Sequence, residues 1–218
     1  MLGISFDLRP DTPAQVLCLG AHSDDIEIGC GGTILKLIDQ YPNLQILWVV
    51  LSATAERAGE AVNSANCFLG AAKNKQIHVK EFRDGFFPYV GADIKTYFEE
   101  LKAMTSPLLV FTHARHDLHQ DHRLVSELTW NTFRDHLILE YEIPKYDGDL
   151  GQPNLYVSLS RAICAQKVSY LAEHFKTQAS KDWFSDNTFL ALMRLRGVES
   201  RAPHQYAEAF YCRKLVLD

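Results

Sequence analysis

Residues 20–32 read GAHSDDIEIGCGG and set one histidine, three carboxylates and four glycines directly behind an apolar run. A dinucleotide-phosphate cradle would need G-x-G-x-x-G at this point, whereas Gly20 is followed only by Gly29, Gly31 and Gly32. Asp24, Asp25 and Glu27 would also place negative charge where a pyrophosphate needs backbone donors and a positive helix end. A plain turn accounts for the glycines but leaves His22 and two adjacent aspartates unexplained. A metal ion accounts for them: imidazole and carboxylate suit zinc, and a catalytic zinc takes about three protein ligands while keeping a position for water. His22 and Asp25, three apart across a tight turn, can converge on one ion. Asp24 then points elsewhere, free to act as a base on the attacking water.

The remaining ligand has to come from a distant segment, and THARHDLHQDHRLVSE at 112–127 offers four histidines within ten residues. His119 and His122 are three apart at the start of a predicted helix and share a face. Asp121 between them can accept an N–H from one imidazole and fix its tautomer. Spacing alone does not say which of the two histidines binds metal. His113 and His116, flanking the motif, are strand-end and loop residues with a structural role as their simplest reading.

Both segments need elements that bring them together. VLCLGAH at 16–22 is a short apolar run ending the first strand, and GGTILKLIDQ follows with Ile34, Leu35 and Ile38 at helical spacing. The alternation continues through LQILWVVLSA, ERAGEAVNSANCFLGA closed by Gly70, QIHVKEF, DIKTYFEELKAM, PLLVFTHA and QDHRLVSELTWNTF. Strands alternating with helices imply a parallel sheet covered on both faces, because each parallel connection needs a crossover helix. The predicted fold class is α/β: a Rossmann-like, doubly wound, mainly parallel sheet in one domain over 1–218. LILEYEIP, a loop rich in Asp, Gly and Pro at 144–154, LYVSLS, a helix from Arg161 to about Phe175 and a final YAEAFYCRKLVL make a small C-terminal extension. In the usual doubly wound order the first and fourth strands are neighbours where the winding reverses, and ligands bind beyond their carboxyl ends. Both motifs follow those two strands.

Composition narrows the class of function. With 22 basic and 27 acidic residues the formal charge is −5, and no run of like charge resembles a nucleic-acid arm or a polybasic membrane tail. LQILWVVLSATA at 44–55 falls well short of the roughly 20 apolar residues that span a bilayer, and MLGISFDLRPD lacks a basic-then-apolar signal pattern. The expectation is a cytoplasmic protein with no nucleic-acid partner and no integral membrane association. A homo-oligomer is as compatible with the sequence as a monomer. Cys18, Cys30, Cys67, Cys164 and Cys212 are scattered and contain no C-x-x-C pair, which predicts free thiols.

AHSDDIEIGCGG resembles the A-H-P-D-D signature of the PIG-L/LmbE-like N-acetylglucosamine deacetylases, and DLHQDH resembles that family's H-x-D-H signature. ERAGE is similar to its Arg-x-x-Glu element and YAEAF to a common C-terminal one. The resemblance implies that His22, Asp25 and His122 ligate zinc, or another divalent transition metal in its place. It further implies Asp24 as general base, His119 as the group that stabilises or protonates, Asp121 as the residue orienting His119, and Arg57 as a grip on a substrate hydroxyl or phosphate. The implied reaction is removal of the N-acetyl group from a small-molecule amino-sugar conjugate, and the alternatives are another zinc amidase or a non-catalytic binding module. Two departures stand out. Ser23 replaces the family's proline, and Asp117 stands where some relatives carry a tyrosine that donates to the oxyanion. Arg194, Arg196 and Glu208 are further candidates for sugar contacts.

Overall fold

A computed structural model of the protein describes residues 3, 5 and 14–216. The N-terminal stretch read for a targeting signal lies, apart from residues 3 and 5, outside the described residues. Four βα steps and a fifth strand build the first part of the chain: β1 (Gln15–Gly20), α1 (Asp25–Gln40), β2 (Gln45–Val50), α2 (Ala55–Phe68), β3 (Asn74–Val79), α3 (Gly91–Met104), β4 (Leu109–His113), α4 (Gln120–Thr132) and β5 (Leu137–Tyr141). There follow β6 (Leu155–Leu159), α5 (Arg161–His174), α6 (Asp186–Glu199) and β7 (Tyr206–Cys212). The seven strands form one sheet in the order β3-β2-β1-β4-β5-β7-β6. The first five run parallel, while β7 pairs antiparallel with both β5 and β6. The C-terminal segment thus joins the main sheet instead of hanging beside it.

The central strands are apolar throughout because helices cover both faces, so no face has to be polar. Val16 and Cys18 of β1, with Ile46, Trp48 and Val50 of β2, pack into a layer with α1, α2 and α5. Their neighbours Leu17 and Leu19, with Leu47 and Val49, face α3 and α4. The two-residue period of a strand sorts side chains between the layers. Each fully buried aliphatic group contributes about 1.5–3 kcal/mol relative to exposure.

Two boundaries differ from the sequence expectation in ways that matter for the site. The helix α1 starts at Asp25, six residues before the GG pair from which the helical pattern is readable. Gly29, Gly31 and Gly32 therefore lie inside the helix and do not make the turn. Their purpose is close approach: a Cβ at Gly29 would stand 2.2 Å from the Tyr141 ring. The helix α6 has no counterpart in the sequence reading. The five cysteines are free, with Cys18, Cys30 and Cys164 buried. Among the described residues no helix is long and apolar enough to cross a membrane.

Candidate metal centre

Since β1 lies between β2 and β4, the segments leaving β1 and β4 emerge side by side at the carboxyl edge of the sheet. The chain turns into α1 over residues 21–24, and Asp25 Oδ2 closes that turn by accepting the His22 backbone N–H at 2.6 Å. Asp24 occupies the N-cap position of α1, yet its side chain caps no backbone N–H. Its Oδ1 instead accepts from Arg57 Nη2 of α2 at 2.8 Å. Burial pushes the Asp24 carboxyl above its usual range, against the pull of the Arg57 guanidinium.

The other wall is the start of α4. His119 is its N-cap, with Nδ1 accepting the Asp121 backbone N–H at 3.3 Å, and His122 lies one turn in. His122 Nδ1 sits 2.9 Å from Asp117 Oδ2. A carboxylate only accepts, so Nδ1 carries the proton and Nε2 presents a lone pair. His22 is fixed in the mirror sense. Its Nε2 is 3.0 Å from Asp84 Oδ1 and 3.2 Å from Asp121 Oδ2, which leaves the lone pair on Nδ1.

Those lone pairs point at each other. His22 Nδ1 and His122 Nε2 are 3.1 Å apart, and Asp25 Oδ2 is 3.3 Å from the first and 3.5 Å from the second. Two lone pairs and an anion at such separations repel unless a cation joins them, either a proton on His22 or a metal ion in its place. The edge of a tetrahedron around zinc, with bonds of about 2.0–2.2 Å, is about 3.3–3.6 Å. The donor set and its spacing therefore fit a tetrahedral divalent ion with a fourth position open.

The electrostatics of the surroundings favour positive charge at the same place. Burial works against a proton on His22, but Asp25, Asp121 and Asp84 together raise its pKa well above the ordinary imidazole value. Burial likewise works against charge on Asp25, but His122, His113 and His22 hold its carboxyl well below the usual range. Other groupings satisfy distance alone: His22, His119 and His122 lie within reach of one ion, as do Asp25, His113 and His122. The hydrogen bonds separate these sets. His113 Nε2 already accepts the Ala21 N–H at 3.0 Å, and His119 Nδ1 is bound to the helix.

The sequence model of the PIG-L family, GlcNAc-PI de-N-acetylase, matches residues 17–133, more than half of the chain and both motifs. The chain belongs to the PIG-L family. Its architecture is shared with solved structures of low identity. The conserved protein TT1542 from Thermus thermophilus is 21% identical, with a TM-score of 0.74 over 93% of this chain and 96% of that one. The N,N'-diacetylchitobiose deacetylase from Pyrococcus horikoshii is 22% identical, with a TM-score of 0.64 over 90% and 82%. GalB, the 4-carboxy-2-hydroxymuconate hydratase from Pseudomonas putida, is 15% identical with a TM-score of 0.75 over 94% and 98%. At these identities the likeness is one of fold.

In this PIG-L chain the roles expected of Asp121, Arg196 and Glu208 fall differently. Asp121 does not orient His119 through its carboxylate: Oδ2 meets His22 and the Gly85 N–H, and Oδ1 accepts from Phe87 N. The hydrogen bond between the two residues runs from the Asp121 backbone amide to His119 Nδ1, although a ring nitrogen of His119 and a carboxylate oxygen of Asp121 lie within 4.8 Å of each other. Arg196 and Glu208 are not at a sugar rim. Both are buried, Arg196 against Glu142 and Glu199, and Glu208 against Lys167 and the backbone of α1. Arg194 donates to the Gln205 carbonyl.

Arg57 reaches Asp24, so any grip on substrate would be shared with the candidate base. His113 is buried and stacked on His122, with ring centroids 3.9 Å apart, and exposed His116 packs edge-on against Tyr211. Two residues that the sequence left unassigned also belong to the centre. Asp117 orients His122, a role that a carboxylate five residues before a histidine on a turn could have suggested. Asp84 contacts His22 from an Asp-Gly turn after β3. Gly85 adopts φ +78° there and aims its N–H at Asp121 2.7 Å away.

Proposed function

We propose that the protein is a zinc-dependent N-deacetylase that hydrolyses the acetamide of a 2-acetamido sugar conjugate and releases acetate. The observation that carries this reading is the convergence of His22, Asp25 and His122 at 3.1–3.5 Å, with Asp24 beside them and not consumed as a helix cap. Family membership and the deacetylase among the neighbours support it. A bound divalent ion would polarise the attacking water and the acetamide carbonyl.

Asp24 takes a proton from the water as its oxygen adds to the acetyl carbon. Arg57 holds that carboxylate in place by its 2.8 Å contact. His119, whose Nδ1 is tied to the Asp121 amide, carries its proton on Nε2 and donates it as a hydrogen bond to the oxyanion. Burial, together with His122 and His22, lowers the His119 pKa and keeps it a neutral donor. Asp24 then returns its proton to the nitrogen as the C–N bond breaks, and the second proton of the water is released with acetate. Asp117 cannot serve as a tyrosine-like donor: burial works against its charge, but His122, His113 and Lys145 hold its carboxyl well below the usual range.

The test is an acetate-release assay of the zinc-loaded protein on N-acetylglucosamine derivatives with different aglycones, with Asp24→Ala as control. Release that depends on Asp24 is the expected result. Turnover confined to other N-acyl or thiol conjugates would replace the sugar reading with a different amidase. Addition of water to an unsaturated acid without acetate release would move the protein toward the chemistry of its hydratase neighbour.

A further inference from the structure

The stretch between β5 and β6 reads in sequence only as a polar loop, but it is a strap fastened at both ends and in the middle. At its base Glu142 Oε1 accepts from Gly151 N at 3.3 Å and from Arg196 Nη2 at 2.7 Å, while the same Arg196 nitrogen donates to the Gly151 carbonyl at 3.0 Å. At its middle Asp149 Oδ2 accepts the Leu118 N–H at 2.7 Å and pairs with Lys145. Lys145 then extends inward, its side chain only 9% exposed, to place Nζ 3.1 Å from Asp117 Oδ2.

Asp117 is the hub of the second motif. Its Oδ2 accepts from His122 Nδ1, and its Oδ1 accepts the His119 backbone N–H at 2.8 Å. We infer that Lys145 is a positioning residue of the metal centre, holding Asp117 so that His122 turns its Nε2 lone pair toward His22 and Asp25. The ammonium does this as a compact point charge. It also balances a carboxylate that is 3% exposed and would otherwise be drawn toward water, away from His122. The inference rests on the reading of His122 as a metal ligand.

The experiment compares Lys145→Met and Lys145→Arg with the wild-type full chain. Zinc affinity is measured by chelator competition, and the His122 ring nitrogens of the zinc-free protein are observed by nitrogen-15 NMR. Loss of an outer partner of a metal-binding histidine typically weakens metal binding about 10–100-fold, and Lys145→Met is expected in that range. Lys145→Arg, which keeps the charge, is expected close to wild type. His122 should hold a single Nδ1–H tautomer in the wild type and a mixture in Lys145→Met, a signature that loss of stability alone does not produce. Wild-type affinity together with a single tautomer in Lys145→Met overturns the inference and leaves the metal reading intact. Failure of the wild type to bind zinc overturns both.

Discussion

The molecule buries two clusters of charge, one on each side of the first turns of α1, and they obey different rules. Behind the helix, Glu208 accepts from Gly32 N at 2.8 Å, Thr33 N at 2.6 Å and Lys167 Nζ at 2.6 Å, and Lys167 donates its other bond to the Ile28 carbonyl. Nearby Arg196 meets Glu142, Glu199 and a carbonyl. Each charged donor there, Lys167 and Arg196, faces an acceptor. In front of the helix, His22 Nδ1, His122 Nε2 and Asp25 Oδ2 converge within 3.5 Å of one another and leave a place for a cation. Burial of charge is common to both, so burial does not mark the site. The imbalance of donors and acceptors does.

The largest effect is expected where that imbalance is removed. His22→Ala and His122→Ala each delete one of the three proposed ligands. Elemental analysis should find bound zinc falling from about one per chain to near zero, with activity falling to background. Full metal content in His122→Ala would break the assignment. Asp24→Ala leaves the three donors in place. It should keep zinc and lose about 10²–10⁴ in kcat, and His119→Ala should fall on the same scale, as removal of a positioned acid or base does. Zinc loss in Asp24→Ala would place that carboxylate in the ligand set.

The balanced cluster should respond in the opposite way. Lys167→Met strands the buried Glu208 carboxylate without its cation, and breaking such a pair costs about 3–5 kcal/mol. Denaturant unfolding should show that loss, while the folded fraction keeps its zinc and its turnover per bound ion. Stability near wild type would mean that the Gly32 and Thr33 amides alone satisfy Glu208. A fall in zinc per folded chain would mean that the strain passes along α1 to Asp25, and the two clusters would then be one unit.

The contrast also explains what could be read in advance. The strands β1, β2 and β4 are legible because two-sided burial makes them continuous apolar runs, and their neighbouring places follow from the winding rule. Of the proposed ligands, His22 and Asp25 follow from the local spacing of a turn, whereas the choice of His122 over His119 follows from the family resemblance and not from spacing. The helix α6 is not, since Phe189 and Met193 face inward while Leu195 and Val198 are exposed, so its apolar residues circle the axis and leave no stripe to detect. Glu208 is a charged residue near the C-terminus with no local partner and Arg196 has only Glu199 one turn on, so that only the insertion of β7 between β5 and β6 shows that they face the interior. Asp84 and Lys145 reach the centre from loops whose course is set by tertiary contacts, to Asp121 in one case and to Arg196 in the other. The candidate ligands sit in local motifs; of the groups that orient them, Asp117 is local as well, while Asp84 and Lys145 are not.

The smallest expected effect lies within the first motif. Ser23, where the first motif departs from the A-H-P-D-D signature it resembles, is fully buried, and its hydroxyl meets no polar partner among the described residues. By the rule that separates the two clusters it is a third case: one unpaired polar group with no charge. Ser23→Ala removes that group without touching Asp24 or Asp25. It should raise stability by about 1 kcal/mol in denaturant unfolding, the usual cost of leaving a buried hydroxyl unbonded, with zinc content and kcat/KM unchanged. A lower kcat/KM at unchanged zinc would show that the hydroxyl bonds substrate. Ser23 would then belong with the unbalanced cluster as a substrate contact.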